Sequence, residues 1–174
     1  MRKLLDRLYV ASGAIAAGFI ILICLIVSAQ VFLNLITKIF GAAYSVTLPS
    51  YADFAGFSLA AASFMALAYT LTRGGHIRVT LLLQTFPQKP RLMAEIFSLT
   101  LGALMSGFAT YYMIRLNLES YGYGDLSTGI IAIPLWLPQL SVSCGLFILT
   151  IAFLDLLWAT IMARMPVLKN TDEG

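Results

Sequence analysis

Uncharged residues in this chain run in four long blocks, with the charged residues confined to the stretches between them. Thirty uncharged positions separate Arg7 from Lys38, nineteen separate Asp53 from Arg73, nineteen separate Glu95 from Arg115, and twenty-nine separate Asp125 from Asp155. At a helical rise of 1.5 Å per residue, each nineteen-residue block covers about 30 Å from charge to charge, the hydrocarbon thickness of a bilayer. The pattern predicts an all-α integral membrane protein with four transmembrane helices near 9–37, 54–72, 96–114 and 134–160. These are expected to form one membrane domain over residues 1–174.

The first block is longer than a bilayer needs. Its thirty residues make a helix of about 45 Å, more than ordinary tilt absorbs. The excess is expected to project past the outer interface, carrying Gln30 and Asn34 toward headgroups or a partner. The last helix is expected to open at Pro134 or Pro138, because Ile133-Pro134-Leu135-Trp136-Leu137-Pro138 is punctuated as a helix entry. Trp136 suits an interfacial aromatic belt, as do Tyr111, Tyr112, Tyr121 and Tyr123. Between the second and third blocks, residues 78–86 are mostly apolar and bounded by cations, too short to span. They predict a short amphipathic helix lying in the interface, before Pro87 and Pro90 turn the chain back.

Composition narrows the class further. Of the 174 residues, 60% are hydrophobic and 11% charged, with a mean hydropathy of +0.89. A water-soluble domain carries about a quarter charged residues, so this chain could not cover a water-facing surface. Nucleic acid is excluded as a partner, since a net charge of +3 from scattered cations makes no phosphate footprint. The distribution of cations sets orientation. Arg2, Lys3, Arg7, Arg73, Arg78, Lys89, Arg91, Arg164 and Lys169 fall on one side, against Lys38 and Arg115 on the other. Positive charge collects inside, so both termini and the middle loop are assigned to the cytoplasm. Arg2-Lys3 with Val27-Ser28-Ala29 has the outline of a cleavable signal. The apolar run exceeds the roughly 7–15 residues of a signal core and continues past Ala29, which favours a retained helix.

No catalytic constellation is visible, and the chain reads as no enzyme. His76 is its single histidine, which leaves no His-based metal cluster or dyad. Cys24 and Cys144 lie inside apolar runs and read as small hydrophobes. The acids Asp6, Asp53, Glu95, Glu119, Asp125, Asp155, Asp172 and Glu173 all fall near helix ends or in loops. Asp155 comes nearest to bilayer depth. It lies twenty-one residues past Pro134, about 32 Å along a helix and so at the inner interface, where a structural role is expected. Small residues four apart recur in the first three spans: Gly13 with Ala17, Ala14 with Gly18, Gly56 with Ala60, Ala62 with Ala66, Gly102 with Ser106, and Ala103 with Gly107. They let helices approach closely, either within this chain or against a partner. Arg73-Gly74-Gly75-His76-Ile77-Arg78 reads either as a positive-inside loop closing a helix, or as a cluster holding lipid phosphates or a partner's acids.

The run from Ala68 to Val79, Ala-Tyr-Thr-Leu-Thr-Arg-Gly-Gly-His-Ile-Arg-Val, resembles the loop of the small, DctQ-type membrane subunit of tripartite ATP-independent periplasmic (TRAP) transporters. Residues 133–138, followed by Gly145, resemble the start of that family's fourth span. The resemblance implies a partner chain, a large DctM-type membrane subunit that carries sodium and substrate. It also implies a periplasmic binding protein that delivers an organic acid. Sodium would then sit on the partner, and this chain would need no cofactor, catalytic residue, substrate site or metal site of its own. It would be a brace in the bacterial inner membrane. Arg73, His76, Arg78 and Trp136 become candidates for contact with membrane lipids or the large subunit. Glu119, Tyr121, Tyr123 and Asp125, in the outer loop 119–128, become candidates for docking the binding protein. The competing expectation is a self-sufficient small homo-oligomeric carrier or channel, with Asp155 or Gln30 and Asn34 lining its path.

Overall fold

The computed structural model of the chain describes residues 2–41, 47–74 and 88–163. Four helices account for most of it: α1 (Arg2–Phe40), α2 (Tyr51–Thr72), α3 (Gln88–Tyr123) and α4 (Trp136–Ala163). Each is long and apolar enough to cross a membrane, and the chain is a multi-pass membrane protein. The expected interfacial helix at 78–86 lies outside the described residues.

Helix lengths differ from the charge-free blocks. The 36 residues of α3 reach about 54 Å, far beyond the span bounded by Glu95 and Arg115. Both residues ride on the helix instead of ending it. Charged side chains mark where a helix leaves hydrocarbon, but Glu, Lys and Arg are themselves good helix formers. The 39 residues of α1 reach about 58 Å, so it too outlasts the bilayer. Helix α4 begins at Trp136, between the two prolines expected to open it, and holds Pro138 in its first turn, where the missing N–H is no loss. Three helix ends are closed by left-handed glycines. Gly41 (φ 87°) follows α1 and donates its N–H to Thr37 O at 3.0 Å. Gly74 (φ 73°) follows α2 and donates its N–H to Leu71 O at 3.3 Å, and Gly124 (φ 68°) follows α3.

The helices do not close into a four-membered bundle. They pack in the order α1, α2, α4, α3, with α1 also touching α4. The two middle helices supply most of the shared core: Ala68 and Leu71 from α2, and Val142, Leu146, Leu149, Ala152 and Leu156 from α4. Tyr9 of α1 and Leu99 of α3 enter it from the flanks. With lipid as apolar as leucine, such contacts hold by close fit and hydrogen bonding more than by exclusion of water.

Close fit depends on small residues, and the pairs seen in the sequence divide into two groups. Gly13 lies under the ring of Tyr69, and Gly102 under the ring of Phe153. Ala62, Ala103 and Ser106 are buried, while Ala14, Ala17, Gly18 and Gly56 are exposed. A Cβ on Gly18 or Gly56 would meet nothing within 4 Å. Between α3 and α4, the hydroxyls of Thr110 and Thr150 meet at 3.2 Å. Such interhelical hydroxyl pairs are worth about 0.6 kcal/mol on average in membrane proteins.

Gln30 does not project outward as expected. It is 4% exposed; its Nε2 donates to Asn34 Oδ1 at 2.9 Å, and its Oε1 accepts from Leu48 N–H at 2.9 Å. A polar side chain at apolar depth is stable only when its hydrogen bonds are met, and here the chain returning toward α2 supplies a donor.

Candidate partner and lipid interface

Two ends of this row hold chemistry. One, the terminal end, gathers the start of α1 and the close of α2 with the close of α4. The other, the loop end, carries the connections that join α1 to α2 and α3 to α4.

At the terminal end a cavity of about 390 Å³ opens between α1 and α2, lined by Asp6, Tyr9, Val10, Tyr69, Thr72 and Arg73. Helical spacing explains the set. Asp6, Tyr9 and Val10 lie three and four apart on one face of α1, and Tyr69, Thr72 and Arg73 do the same on α2. Tyr9 is 3% exposed, and its hydroxyl donates to Asp155 Oδ2 at 3.4 Å, joining α1 to α4. Ser12, also buried, returns its hydroxyl to Tyr9 O at 3.2 Å. The Arg73 guanidinium stands 5.4 Å from the centroid of the Tyr69 ring. At an exposed site such a cation–π contact is worth about 0.5–1 kcal/mol.

Asp155 therefore faces α1, toward the terminal end of α4, as the acceptor of the Tyr9 hydroxyl. Of the three cationic-loop candidates, Arg73 is the one within the described residues; His76 and Arg78 lie outside them. Trp136 lies at the opposite end of the row, so it cannot share an interface patch with Arg73. Its ring meets Tyr121 edge-on at 5.7 Å between centroids, and its carbonyl accepts from Asn117 Nδ2 at 2.8 Å.

The loop end is built as a small hairpin. Leu135 N–H donates to Asp125 O at 2.9 Å and Ser127 N–H to Ile133 O at 2.8 Å, around an isolated bridge between Leu126 and Pro134. The Ser127 hydroxyl accepts from Ile133 N–H at 2.9 Å. This hairpin is tied to the entry of α2: Ser50 Oγ accepts from Ile131 N–H at 2.9 Å. Ser50 itself takes a left-handed φ of 58° ahead of the first turn of α2. Gly129 lies so close to the Asp53 carboxylate that no Cβ fits there.

The loop expected at 119–128 starts later than that: Glu119, Tyr121 and Tyr123 ride on the last turns of α3, and of the four docking candidates Asp125 alone lies beyond the helix; all four are exposed. Glu119 pairs with Arg115 one turn back at 3.6 Å, both more than half exposed, a contact worth about 0.3–0.5 kcal/mol. Tyr121 and Tyr123 are exposed, Tyr123 at 83%, and the Asp125 side chain is exposed while its carbonyl opens the hairpin. Sequence reading missed the Ser50–Ile131 and Asp53–Gly129 contacts. The signal was faint: a lone glycine in a polar turn and an acid in a first helical turn. No group of three or more His, Cys, Asp or Glu side chains that could hold a metal ion is found among the described residues.

Comparison with known proteins gives one match. The family model described as "Tripartite ATP-independent periplasmic transporters, DctQ component" matches residues 23–162. No curated protein and no solved structure matches the chain. The matched segment takes in the second half of α1, all of α2 and α3, and α4 to within a residue of its end.

Proposed function

From the premise that the chain belongs to the DctQ component family of tripartite ATP-independent periplasmic transporters, we propose that it is the non-catalytic small membrane subunit of a sodium-driven organic-acid carrier. It braces a large DctM-type transport subunit in the bacterial inner membrane, with its termini in the cytoplasm. The outer end of α3, with Glu119, Tyr121 and Tyr123, and the adjoining hairpin that Asp125 opens help dock a periplasmic binding protein. Sodium and substrate bind on the partner subunit.

The open row of helices carries this reading. Long apolar side chains along α1 and α3 stay exposed, among them Ile21, Leu25 and Phe32 on α1, and Phe97, Leu104 and Phe108 on α3. Helices this long, with so little of their surface covered, suit a chain that offers its flanks to lipid and to a larger protein. The fixed hairpin at the loop end suits a docking surface, because a preorganised loop loses little entropy on binding.

The test is copurification followed by reconstitution. Extracted in mild detergent, the chain is expected to bring a larger multi-span protein with it. Reconstituted alone, it is expected to show no sodium-driven uptake of any organic acid. Uptake by the lone chain, abolished in Asp155→Asn, would overturn the bracing role in favour of a homo-oligomeric carrier.

A further inference from the structure

The cleft between α1 and α2 holds charges that the described residues do not neutralise. Asp6 and Arg73 line the same cavity, both are exposed, and among the described residues neither is ion-paired. Asp6 lies within electrostatic reach of the Tyr9 hydroxyl, which already serves Asp155. Arg73 is held over the Tyr69 ring, and among the described residues its guanidinium donors have no hydrogen-bond partner. Thr72 adds a hydroxyl, already returned to Ala68 O at 3.0 Å, that retains acceptor capacity. The cleft thus offers one carboxylate, one guanidinium, a phenol and a hydroxyl around about 390 Å³, inside the range of small-molecule sites.

Its depth narrows the occupant. The apolar block of α2 ends at Thr72, so the mouth lies at the level of lipid headgroups. Its floor is the Tyr69 ring, seated against Gly13, where a Cβ would come within 2.8 Å of Tyr69 Cγ. On the hydrocarbon side, Val10 continues into Ala14, Ala17 and Ile21, spaced four, seven and eleven residues along one stripe of α1. All four are exposed. Ala14 and Ala17, between the larger Val10 and Ile21, leave a shallow apolar track for an acyl chain.

We infer that this cleft binds the headgroup of a zwitterionic phospholipid, phosphatidylethanolamine, with the phosphate on Arg73 and the ammonium on Asp6. A purely anionic lipid would satisfy Arg73 but leave Asp6 facing a like charge. The zwitterion satisfies both, because its charges are two carbons apart on one headgroup. The inference rests on the membrane-spanning fold and on this cleft, and stands whether or not the chain braces a carrier.

Native mass spectrometry of the purified full-length chain, equilibrated with equal amounts of phosphatidylethanolamine and phosphatidylglycerol, tests it. The wild type is expected to retain one molecule of phosphatidylethanolamine in preference to phosphatidylglycerol. Asp6→Asn is expected to erase that preference, and Arg73→Gln to lower retention of both lipids by roughly tenfold, the loss of one charge-assisted contact. Both positions are exposed, so helix content by circular dichroism should match the wild type and certify the fold. Equal retention of the two lipids by the wild type, or a preference that survives Asp6→Asn, would overturn the assignment. Soluble phosphoethanolamine at the same concentration is expected not to displace the lipid; displacement would give the cleft to a soluble zwitterion and overturn the lipid assignment.

Discussion

Gly145 is where α4 passes directly over the main chain of Phe64 in α2. A Cβ at Gly145 would approach the carbonyl carbon and oxygen of Phe64 to 2.6 Å, and no side-chain rotation could relieve that contact. The seam joins the two central helices, so a methyl group here separates the halves of the row. Gly145→Ala is expected to destabilise the fold by about 1–3 kcal/mol, the usual cost of overpacking. Gly18→Ala and Gly56→Ala, whose surroundings are open, should leave thermal unfolding in detergent unchanged. Equal melting temperatures for all three variants would refute the close approach.

Gly102 presents a softer case. Its missing Cβ would meet the edge of the Phe153 ring at 2.6 Å, and a ring can turn where a backbone cannot. Gly102→Ala should therefore cost less than Gly145→Ala, and Phe153→Leu should recover part of the loss. A double-mutant cycle by thermal unfolding should show a coupling of about 0.5–3 kcal/mol between the two sites.

The bond from Tyr9 to Asp155 ties the start of α1 to α4. Tyr9→Phe removes the donor and is expected to cost about 1 kcal/mol, with faster amide exchange confined to the first turns of α1. Asp155→Asn keeps an acceptor for the phenol and should retain most of that stability. If Asp155 instead served an ion path, both changes would alter flux in the assembled complex and leave exchange untouched.

At the loop end, Gly129→Ala forces the hairpin off Asp53. Residues 125–135 are expected to become protease-sensitive and exchange faster, while the four helices keep their protection. Adding Asp53→Ala should restore part of the protection by making room. In the assembled transporter, the same Gly129→Ala change is expected to weaken binding-protein docking more than it disturbs the contact with the large subunit.

Loss of Gln30 should be costlier than its place in an apolar helix suggests. Gln30→Leu leaves the Leu48 N–H without its acceptor, a penalty of about 1–3 kcal/mol that thermal unfolding would report. Unchanged stability would show that Leu48 finds another partner.

The membrane class and the number of spans were legible because hydrocarbon thickness imposes a length that charges then bracket, as Asp53 and Arg73 do for α2. Helix ends were less legible. Glu95 and Arg115 bounded the apolar stretch of α3, but the backbone has no reason to stop where the lipid does, and the helix ran on. The order of packing was not legible either. Gly13, Gly18, Gly56 and Gly102 are equivalent in sequence, and only their surroundings separate those pressed against a ring from those left open. Gln30 was misjudged for the same reason: an outward amide and one that caps a returning chain have the same local sequence. Of the candidate interface, the exposure of Glu119, Tyr121, Tyr123 and Asp125 could be anticipated from their place past the end of an apolar block. The ties from Ser50 to Ile131 and from Asp53 to Gly129 could not, because they join residues about eighty positions apart.

A palisade has two broad sides and no lumen. With α1, α2, α4 and α3 standing in file, these four described helices enclose no polar lane between them from one leaflet to the other. A solute moving across the membrane beside it would need its opposite bank from another polypeptide; on the proposed bracing role, the palisade is the fixed ground against which that neighbour moves.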